Sequence, residues 1–428
     1  MKKILPCFLI VILTLTSVAC GGNSTTSNEN DSDNTSTETE SSSDDKSESV
    51  EDSTEKKVIK IALQEDTTGG FQAAIDGFND SQDEYEAEWV TMPNDSDQMR
   101  DQFNTSLSAG SSEYDVLSLD VVWAGDMAAA GYIEALDSYM KDAGRSMSDY
   151  NTGSMASGSY NAKQYTLPFY PDLGILFYRS DIVSEKDAQE LESGDYTWAE
   201  LLEMAEIYKG EEGTSAGLAF QAAQYEGLVC NLNEFTGGFE DIEEGLEIMK
   251  QAVTSDVTPT DILNYQESES CNSFINGESV FLRNWPYVWG SIATEGSISQ
   301  DQVGIAPLPE GSCIGGWLLA INENSKNKEG AWALLDYMTS EEGQRIMSSI
   351  TGNIPGYNAL LDDAEVLAAN ELLSRPGFQI ALENTIARPV SDNYSETSDA
   401  IQQAAHKFLS GSQELEATAE EIKTALGK

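Results

Sequence analysis

Residues 273–291 of this chain read SFINGESVFLRNWPYVWGS and join a helix end, a short strand and an aromatic corner. Gly277 follows an apolar pair, and glycine tolerates the left-handed conformation that often ends a helix. The run 280–282 predicts a brief strand that the following Asn-Trp-Pro breaks. Because proline fits the first turn of a helix, Pro286 predicts that a new helix begins over residues 287–289.

This corner carries Trp285, Tyr287 and Trp289 beside the polar Asn284. Large aromatic faces on a loop suit stacking against a flat ligand such as a sugar ring. The alternative is that Trp285 and Trp289 are core anchors, the commoner fate of large aromatic side chains. The corner alone leaves both interpretations open.

Length and charge limit the class of protein. A chain of 428 residues is long enough for two domains with sizeable cores. Its formal net charge of -51 argues against nucleic acid or an anionic membrane as a binding partner. With His406 as its one histidine, a His-built metal site is not expected, and we predict neither a metal nor a cofactor.

The N-terminus has the pattern of an export signal. Two lysines precede the apolar run 4–18, which is too short for a mature membrane span. Small residues, Cys20 and two glycines follow, and this stretch resembles the lipobox of bacterial lipoproteins, although Ser17 stands where that motif usually has Leu. The resemblance implies a signal peptide over residues 1–19 and a lipid on Cys20. Ordinary signal cleavage with an incidental cysteine is the alternative.

Residues 20–57 consist mostly of Ser, Thr, Asn, Asp and Glu after the cysteine and its glycines. Such a segment cannot bury enough apolar surface to offset its ordering entropy, so we predict that it is disordered. Like charges extend a chain of this kind. Its place after a lipobox favours a tether. The alternative is a generic acidic tail, which would be disordered and extended in the same way.

From residue 58 the pattern alternates between strand and helix. Runs with β-branched residues predict strands over 58–63, 89–92 and 114–119, and helical spacing of apolar residues lies between them. This order predicts a parallel sheet covered by helices. Ligands bind outside the carboxyl ends of such strands. Glu65 and Asp120 each follow a strand, so both are expected at the same rim.

A second α/β region follows Pro168. Residues 169–172 predict a rigid aromatic crossing, and Asp172 lies within it. Further strands are predicted over 173–178, 217–220, 303–307 and 315–321. Helices are predicted over 328–338 and over most of the chain from residue 391 onward.

Six segments of the chain are distinctive in their order. They are YDVLSLDVVWAGDMAAAGYI (114–133), YTLPFYPDLGILFYRSDI (165–182), FINGESVFLRNWPYVW (274–289), VGIAPLPEG (303–311), GGWLLAIN (315–322) and EGAWALLDYMTSEEGQ (329–344). Each motif is weak alone, but together and in this order they resemble the extracellular solute-binding proteins of carbohydrate ABC transporters, the maltose-binding-protein-like class. The resemblance covers nearly all of the mature chain, and the segment RPVSDNYSETSDAIQ (388–402) with NWPY and GGW points to the trehalose/maltose-binding branch.

The resemblance implies a two-lobed α/β fold of the type II periplasmic-binding class, with a ligand held in the cleft and closure by a hinge. It implies an N-terminal lobe of residues 58–167 plus 307–345 and a C-terminal lobe of residues 168–306 plus 346–428. It also implies a monomer that binds a disaccharide or short oligosaccharide, such as trehalose or maltose, and delivers it to permease subunits without catalysis. The protein would be extracytoplasmic and anchored to the bacterial cell membrane through Cys20.

The positions that match the family's binding residues have suitable chemistry. Carboxylates accept hydrogen bonds from sugar hydroxyls, arginine donates them, aromatic rings stack on pyranose faces, and paired glycines let a ligand approach the backbone. Each residue also has an ordinary alternative as a solvated acid, a cap, a core anchor or a surface ion pair. The predicted ligand-binding residues are Glu65, Asp120, Asp172, Trp285, Tyr287, Gly316, Trp317 and Arg388.

Two questions remain open at this stage. Cys230, Cys271 and Cys313 permit a disulfide outside the cell, yet small buried thiols are the favoured interpretation. Carboxylates beside aromatic rings also occur in glycosidase clefts, so a cell-surface glycoside hydrolase is the rival class. A lipoprotein that binds a solute other than sugar is a third possibility.

Overall fold

The computed structural model describes residues 56–389 and 393–428. The predicted signal peptide, Cys20 and almost all of the predicted tether lie outside these residues. The strands are β1 (Lys57–Gln64), β2 (Tyr85–Met92), β3 (Val116–Asp120), β4 (Ser159–Tyr160), β5 (Lys163–Gln164), β6 (Thr166–Leu173), β7 (Ile175–Arg179), β8 (Ala216–Ala219), β9 (Ser279–Asn284), β10 (Val303–Ala306), β11 (Ser312–Ile321) and β12 (Thr385–Ile386).

Helices separate most of these strands and follow the last one. They are α1 (Gly70–Ser81), α2 (Ser96–Ser108), α3 (Ala124–Ala129), α4 (Asp137–Ala143), α5 (Thr152–Ser157), α6 (Glu185–Ser193), α7 (Trp198–Tyr208), α8 (Glu226–Phe235), α9 (Ile242–Thr254), α10 (Glu267–Ile275), α11 (Val288–Glu295), α12 (Lys328–Met338), α13 (Glu341–Thr351), α14 (Ala364–Ala369), α15 (Pro376–Glu383), α16 (Tyr394–Leu409) and α17 (Leu415–Ala425). Among these described helices, none has the length and apolar character that spanning a bilayer requires.

The first sheet has the strand order β12-β11-β3-β1-β2, and β6 pairs with β11. Strand β1 pairs in parallel with both β2 and β3, as the βαβ pattern predicts. Strand β11 runs antiparallel to β3 and places Trp317 opposite Asp120. The carboxyl ends of β1 and β3 therefore meet near Trp317, in the middle of β11, at the rim where the sequence predicts a ligand site.

The second sheet has the order β10-β7-β9-β8. Strand β9 lies between β7, which is antiparallel to it, and β8, which is parallel. All residues of β9 are buried, because helices cover this sheet and leave no solvent face for alternation. The aromatic corner that follows β9 is therefore held by a strand in the interior of the molecule.

The predicted helices and strands are largely confirmed. Helix α12 spans the predicted residues. Helix α7 begins with a capping box between Thr197 and Glu200. The predicted crossing at residues 169–172 belongs to β6, which pairs with β11 in the first sheet and leads directly into β7 of the second sheet. Tyr170 and Asp172 lie in a strand because β11 supplies the pairing partner that the sequence does not reveal.

Two features bear on the lobe boundaries that the sequence suggests. The proposed boundary at residues 167/168 falls inside β6, which continues to Leu173. Strand β12, from the segment assigned to the second lobe, pairs in parallel with the start of β11. Strand β11 thus forms ladders with segments from both proposed lobes.

Candidate ligand-binding site

A cavity of about 380 Å³ opens between the carboxyl ends of the first-sheet strands and the corner that follows β9. Its volume lies in the ordinary range for small-molecule sites. The first sheet contributes the ends of β1 and β3 and parts of β6 and β11, and the opposite wall comes from α8, α10 and α11. A ligand in this cavity would contact both halves of the molecule.

The eight residues that the sequence singles out are brought together here. Each of them lines this one cavity, although they are spread along more than three hundred positions of the chain. They are Glu65, Asp120, Asp172, Trp285, Tyr287, Gly316, Trp317 and Arg388.

Asp120 and Arg388 are paired with each other. Two guanidinium nitrogens of Arg388 donate to the two carboxylate oxygens of Asp120, at 3.1 and 2.5 Å. One of these nitrogens also donates to Glu226 at 2.9 Å. Both side chains are buried, so the pair is poorly screened by solvent. Nε of Arg388 is buried and has no hydrogen-bond partner among the described residues.

Glu226 is a central residue of this network, and the sequence did not reveal it. Its carboxylate accepts from Arg388, from Tyr394 at 2.5 Å and from Ser398. Tyr394 and Ser398 lie on α16, so the network connects the C-terminal helices to the cavity. Glu226 is the first residue of α8, where a negative charge suits the helix dipole.

The two other predicted carboxylates have different surroundings. Glu65 is exposed and accepts from the side-chain amide of Asn94 at 3.3 Å. Asp172 accepts from the backbone N–H of Leu173 at 3.0 Å, and burial raises the pKa of Asp172 well above its usual range. A carboxyl group with a raised pKa keeps its proton to higher pH, and its protonated form can donate as well as accept a hydrogen bond.

Trp285 is half-buried and enclosed on several sides. The guanidinium of Arg283 lies over its ring at 4.2 Å from the centroid, a cation–π contact. Arg283 itself donates to both carboxylate oxygens of Glu234, at 2.6 and 2.5 Å, and this ion pair is fully buried. The indole N–H of Trp285 donates to the carboxylate of Glu267 at 3.3 Å. The ring is therefore held in place before any ligand arrives.

The other predicted aromatic residues line neighbouring parts of the cavity. The hydroxyl of Tyr287 donates to the backbone carbonyl of Glu267 at 3.2 Å. Trp317 packs edge-on against the buried Trp123, with ring centroids 5.4 Å apart. Because these contacts hold each ring at one edge or tip, part of its remaining surface is left to the cavity. Trp289 is buried in the core, as the alternative interpretation of that residue has it.

Glycine is needed at positions 315 and 316 for two different structural reasons. A Cβ on Gly315 would lie 2.9 Å from the Trp285 ring, so its absence gives the indole room. Gly316 has a φ of +129°, which side-chain-bearing residues rarely adopt, and a Cβ there would meet the β6 backbone at 2.8 Å. The register of the β6–β11 ladder shifts between Trp317 and Leu318. Both glycines therefore shape the wall of the cavity.

Several lining residues carried no recognisable sequence signal. Tyr170 lies in β6, and Gln64 ends β1, where its amide oxygen accepts from Ser118 at 3.2 Å. Among the described residues Nε2 of Gln64 has no hydrogen-bond partner. Glu267, at the start of α10, lines the opposite wall. The predicted rim position of Glu65 could have suggested that Gln64 lies at the cavity. The place of Glu267 at the cavity follows only from tertiary packing.

The cysteines are buried free thiols in the described structure. Cys230 and Cys271 line the cavity. Cys313 is the second residue of β11, and its backbone N–H donates to the carboxylate of Glu234 at 3.1 Å. Burial raises the pKa of the Cys271 thiol to about 12. Over residues 56–389 and 393–428, no cluster of three metal-ligating side chains occurs.

The bacterial extracellular solute-binding protein family matches residues 64–345. A "Probable ABC transporter-binding protein" of Deinococcus radiodurans is 28% identical over 353 residues, which cover 75% of this chain and 81% of that protein. The maltotriose-binding protein of Pyrococcus abyssi is 23% identical over 311 residues, 67% of this chain and 64% of that protein.

Among solved structures, maltose-bound T. maritima MalE3 superposes with a TM-score of 0.77 at 29% identity and covers 86% of this chain and 99% of that chain. The fold and the cavity define a two-lobed solute-binding protein of the type II periplasmic-binding class. The chain belongs to the bacterial extracellular solute-binding protein family.

Proposed function

We propose that this protein is the substrate-binding component of a sugar ABC importer. It takes a disaccharide or short oligosaccharide, an α-glucoside such as trehalose or maltose, in the cavity between its lobes and delivers it to the permease. The main observation behind the proposal is that one cavity is lined by Trp285 and Trp317 and by the carboxyl groups of Asp120 and Asp172. Aromatic faces and carboxylates are the two kinds of group that sugar rings and their hydroxyls require.

The similarity to a maltose-bound protein and to a maltotriose-binding protein supports the sugar class. The family's definition by solute binding supports a receptor without catalysis. Each lobe contributes part of the lining, so a ligand that contacts both lobes would favour closure by its differential affinity. The proposed lobes remain residues 58–167 plus 307–345 and residues 168–306 plus 346–428. Strand β11 belongs to the first of them and pairs with segments of both.

We also propose that the protein acts as a monomer outside the cytoplasm, held at the membrane by a lipid on Cys20. The lipobox-like sequence supports the anchor, and membership of the extracellular solute-binding family supports the location. Mass spectrometry of the mature N-terminus tests the anchor directly. An unmodified Cys20 in the mature protein contradicts it without affecting the sugar proposal.

Calorimetric titration of residues 56–428 with trehalose, maltose, sucrose and cellobiose tests the function. We expect saturable one-to-one binding of an α-linked disaccharide. Heat-silent titrations with every sugar, on protein that unfolds cooperatively, would contradict the sugar proposal. Incubation with the same sugars and with aryl glucosides tests the rival class, because turnover that Asp120→Asn abolishes would identify a glycoside hydrolase.

A further inference from the structure

Glu267 makes polar contacts with several residues on the second-lobe side of the cavity. Its carboxylate accepts a hydrogen bond from the hydroxyl of Tyr225 at 2.7 Å and from the indole N–H of Trp285 at 3.3 Å. Its backbone carbonyl accepts from the hydroxyl of Tyr287 and from the amide of Asn284, both at 3.2 Å. One residue therefore contacts both aromatic side chains of the predicted binding corner.

The contacts around Trp285 show which restraint on the indole comes from Glu267. One ring face is covered by the guanidinium of Arg283, and the ring edge packs on Gly315. These contacts limit where the indole can lie, but neither bonds its N–H group. A ring that stacks on a sugar must hold both its position and its rotation about the side-chain bonds. The hydrogen bond to Glu267 supplies the restraint on rotation.

Glu267 is itself well fixed. It is the first residue of α10, whose N-terminus carries a capping box between Gln266 and Glu269. The side-chain amide of Gln266 donates to Asp95 at 2.6 Å, and Asp95 caps α2 on the first-sheet side of the cavity. The start of α10 is thus tied to the opposite wall, and this keeps the Glu267 carboxylate near the indole.

We propose that Glu267 is a positioning residue that orients the Trp285 indole for stacking on the ligand. The predicted effect on ligand affinity rests on the proposed function, because stacking requires a ring-shaped ligand. Glu267 acts through Trp285, and its substitution lowers affinity by letting the indole rotate. A direct contact between Glu267 and the ligand is the competing role.

The first experiment needs no ligand. Protein with 5-fluorotryptophan at all seven Trp positions gives fluorine resonances, and Trp285→Phe identifies the signal of Trp285. We expect Glu267→Ala to shift or broaden that signal, while Glu267→Gln, whose amide oxygen can still accept from the indole, largely preserves it. Glu269→Gln is the matched control, because glutamine also completes a capping box. An unmoved Trp285 signal in Glu267→Ala overturns the proposal.

The second experiment separates positioning from direct contact. Calorimetry with the sugar that the wild type binds is expected to show a loss of about tenfold for Glu267→Ala. In the background of Trp285→Ala, the same substitution is expected to add less than about twofold, because the ring it orients is gone. Fully additive losses overturn the proposal in favour of direct contact. A wild type that binds none of the sugars contradicts the proposed function, while the fluorine signals still decide the role of Glu267.

Discussion

Arg388 donates two hydrogen bonds to Asp120, at 3.1 and 2.5 Å, although 268 positions separate the two residues in the chain. Asp120 ends β3 of the first sheet, whereas Arg388 follows β12 and also reaches Glu226 on α8. The guanidinium is therefore committed to protein carboxylates at two of its nitrogens. Arg388 thus acts mainly as a buried bridge that holds the two walls of the cavity together.

Asp120→Asn tests this bridge. The asparagine amide has only one acceptor oxygen and carries no charge, so Arg388 keeps only Glu226 as a charged partner. We expect the free energy of unfolding to fall by about 2 kcal/mol, below the full cost of a broken buried pair because Glu226 remains. Urea unfolding measures the change, with the exposed Asp142→Asn as a control. Equal stability of both variants would contradict the bridging role.

Gly174→Ala tests the ion pair that lies behind Trp285. A Cβ at this position would sit 1.9 Å from a carboxylate oxygen of Glu234 and 2.5 Å from a nitrogen of Arg283. Because the clash forces apart a fully buried pair, we expect a loss of about 3 kcal/mol in unfolding free energy and weaker sugar binding. Chemical denaturation and calorimetry measure the two effects.

Gly125→Ala is the matched control for that substitution. Gly125 lies in α3, and a Cβ there meets nothing within 4 Å. Alanine is the better helix former, so we expect a gain of up to about 1 kcal/mol. A loss at Gly125 comparable with that at Gly174 would show that the ion pair is not the cause.

The raised pKa of Asp97 predicts that the stability of the protein depends on pH. Burial raises the pKa of Asp97 from 3.8 to about 6, against the attraction of Arg100, whose guanidinium lies 3.3 Å away. The charges of Glu226 and Asp95 raise this pKa further, and Gln402 donates to the carboxylate at 3.1 Å. The folded state therefore binds a proton that the unfolded state lacks between about pH 6 and pH 4.

The contribution of Asp97 to stability accordingly increases as pH falls through 6 and is lost as pH rises through it. Asp97→Asn resembles the protonated side chain, so at pH 7 we expect it to raise the free energy of unfolding by about 1 to 2 kcal/mol. The advantage should shrink toward pH 4. Urea unfolding of both proteins across this range measures the difference, and a constant difference would contradict the shifted pKa.

Trp285→Ala tests stacking. Removal of the indole takes away both the apolar surface and the ring face, so we expect sugar affinity to fall by at least about tenfold. Trp332→Ala is the comparison, because Trp332 stacks on Tyr139 and does not line the cavity. Affinity of Trp285→Ala within about twofold of the wild type would refute the stacking role.

Much of the fold could be predicted from the chain because it depends on local patterns. Alternation and helical spacing of apolar residues indicate β1, α1 and α12, and polar residues at strand ends place Asp120 at the rim of a sheet. The matched motifs added Trp285 and Arg388, since their order along the chain is itself a sequence property. These predictions need only neighbours in sequence or a resemblance.

The tertiary structure decided how those residues are used. It paired Arg388 with Asp120, placed Glu267 against the indole of Trp285, and set Arg283 against Glu234 across 49 positions. It also showed why glycine occupies position 174, where a side chain would strike that pair. Such contacts join segments far apart in the chain. They depend on how sheets and helices pack, and local pattern carries no record of which buried carboxylate will meet which guanidinium or indole.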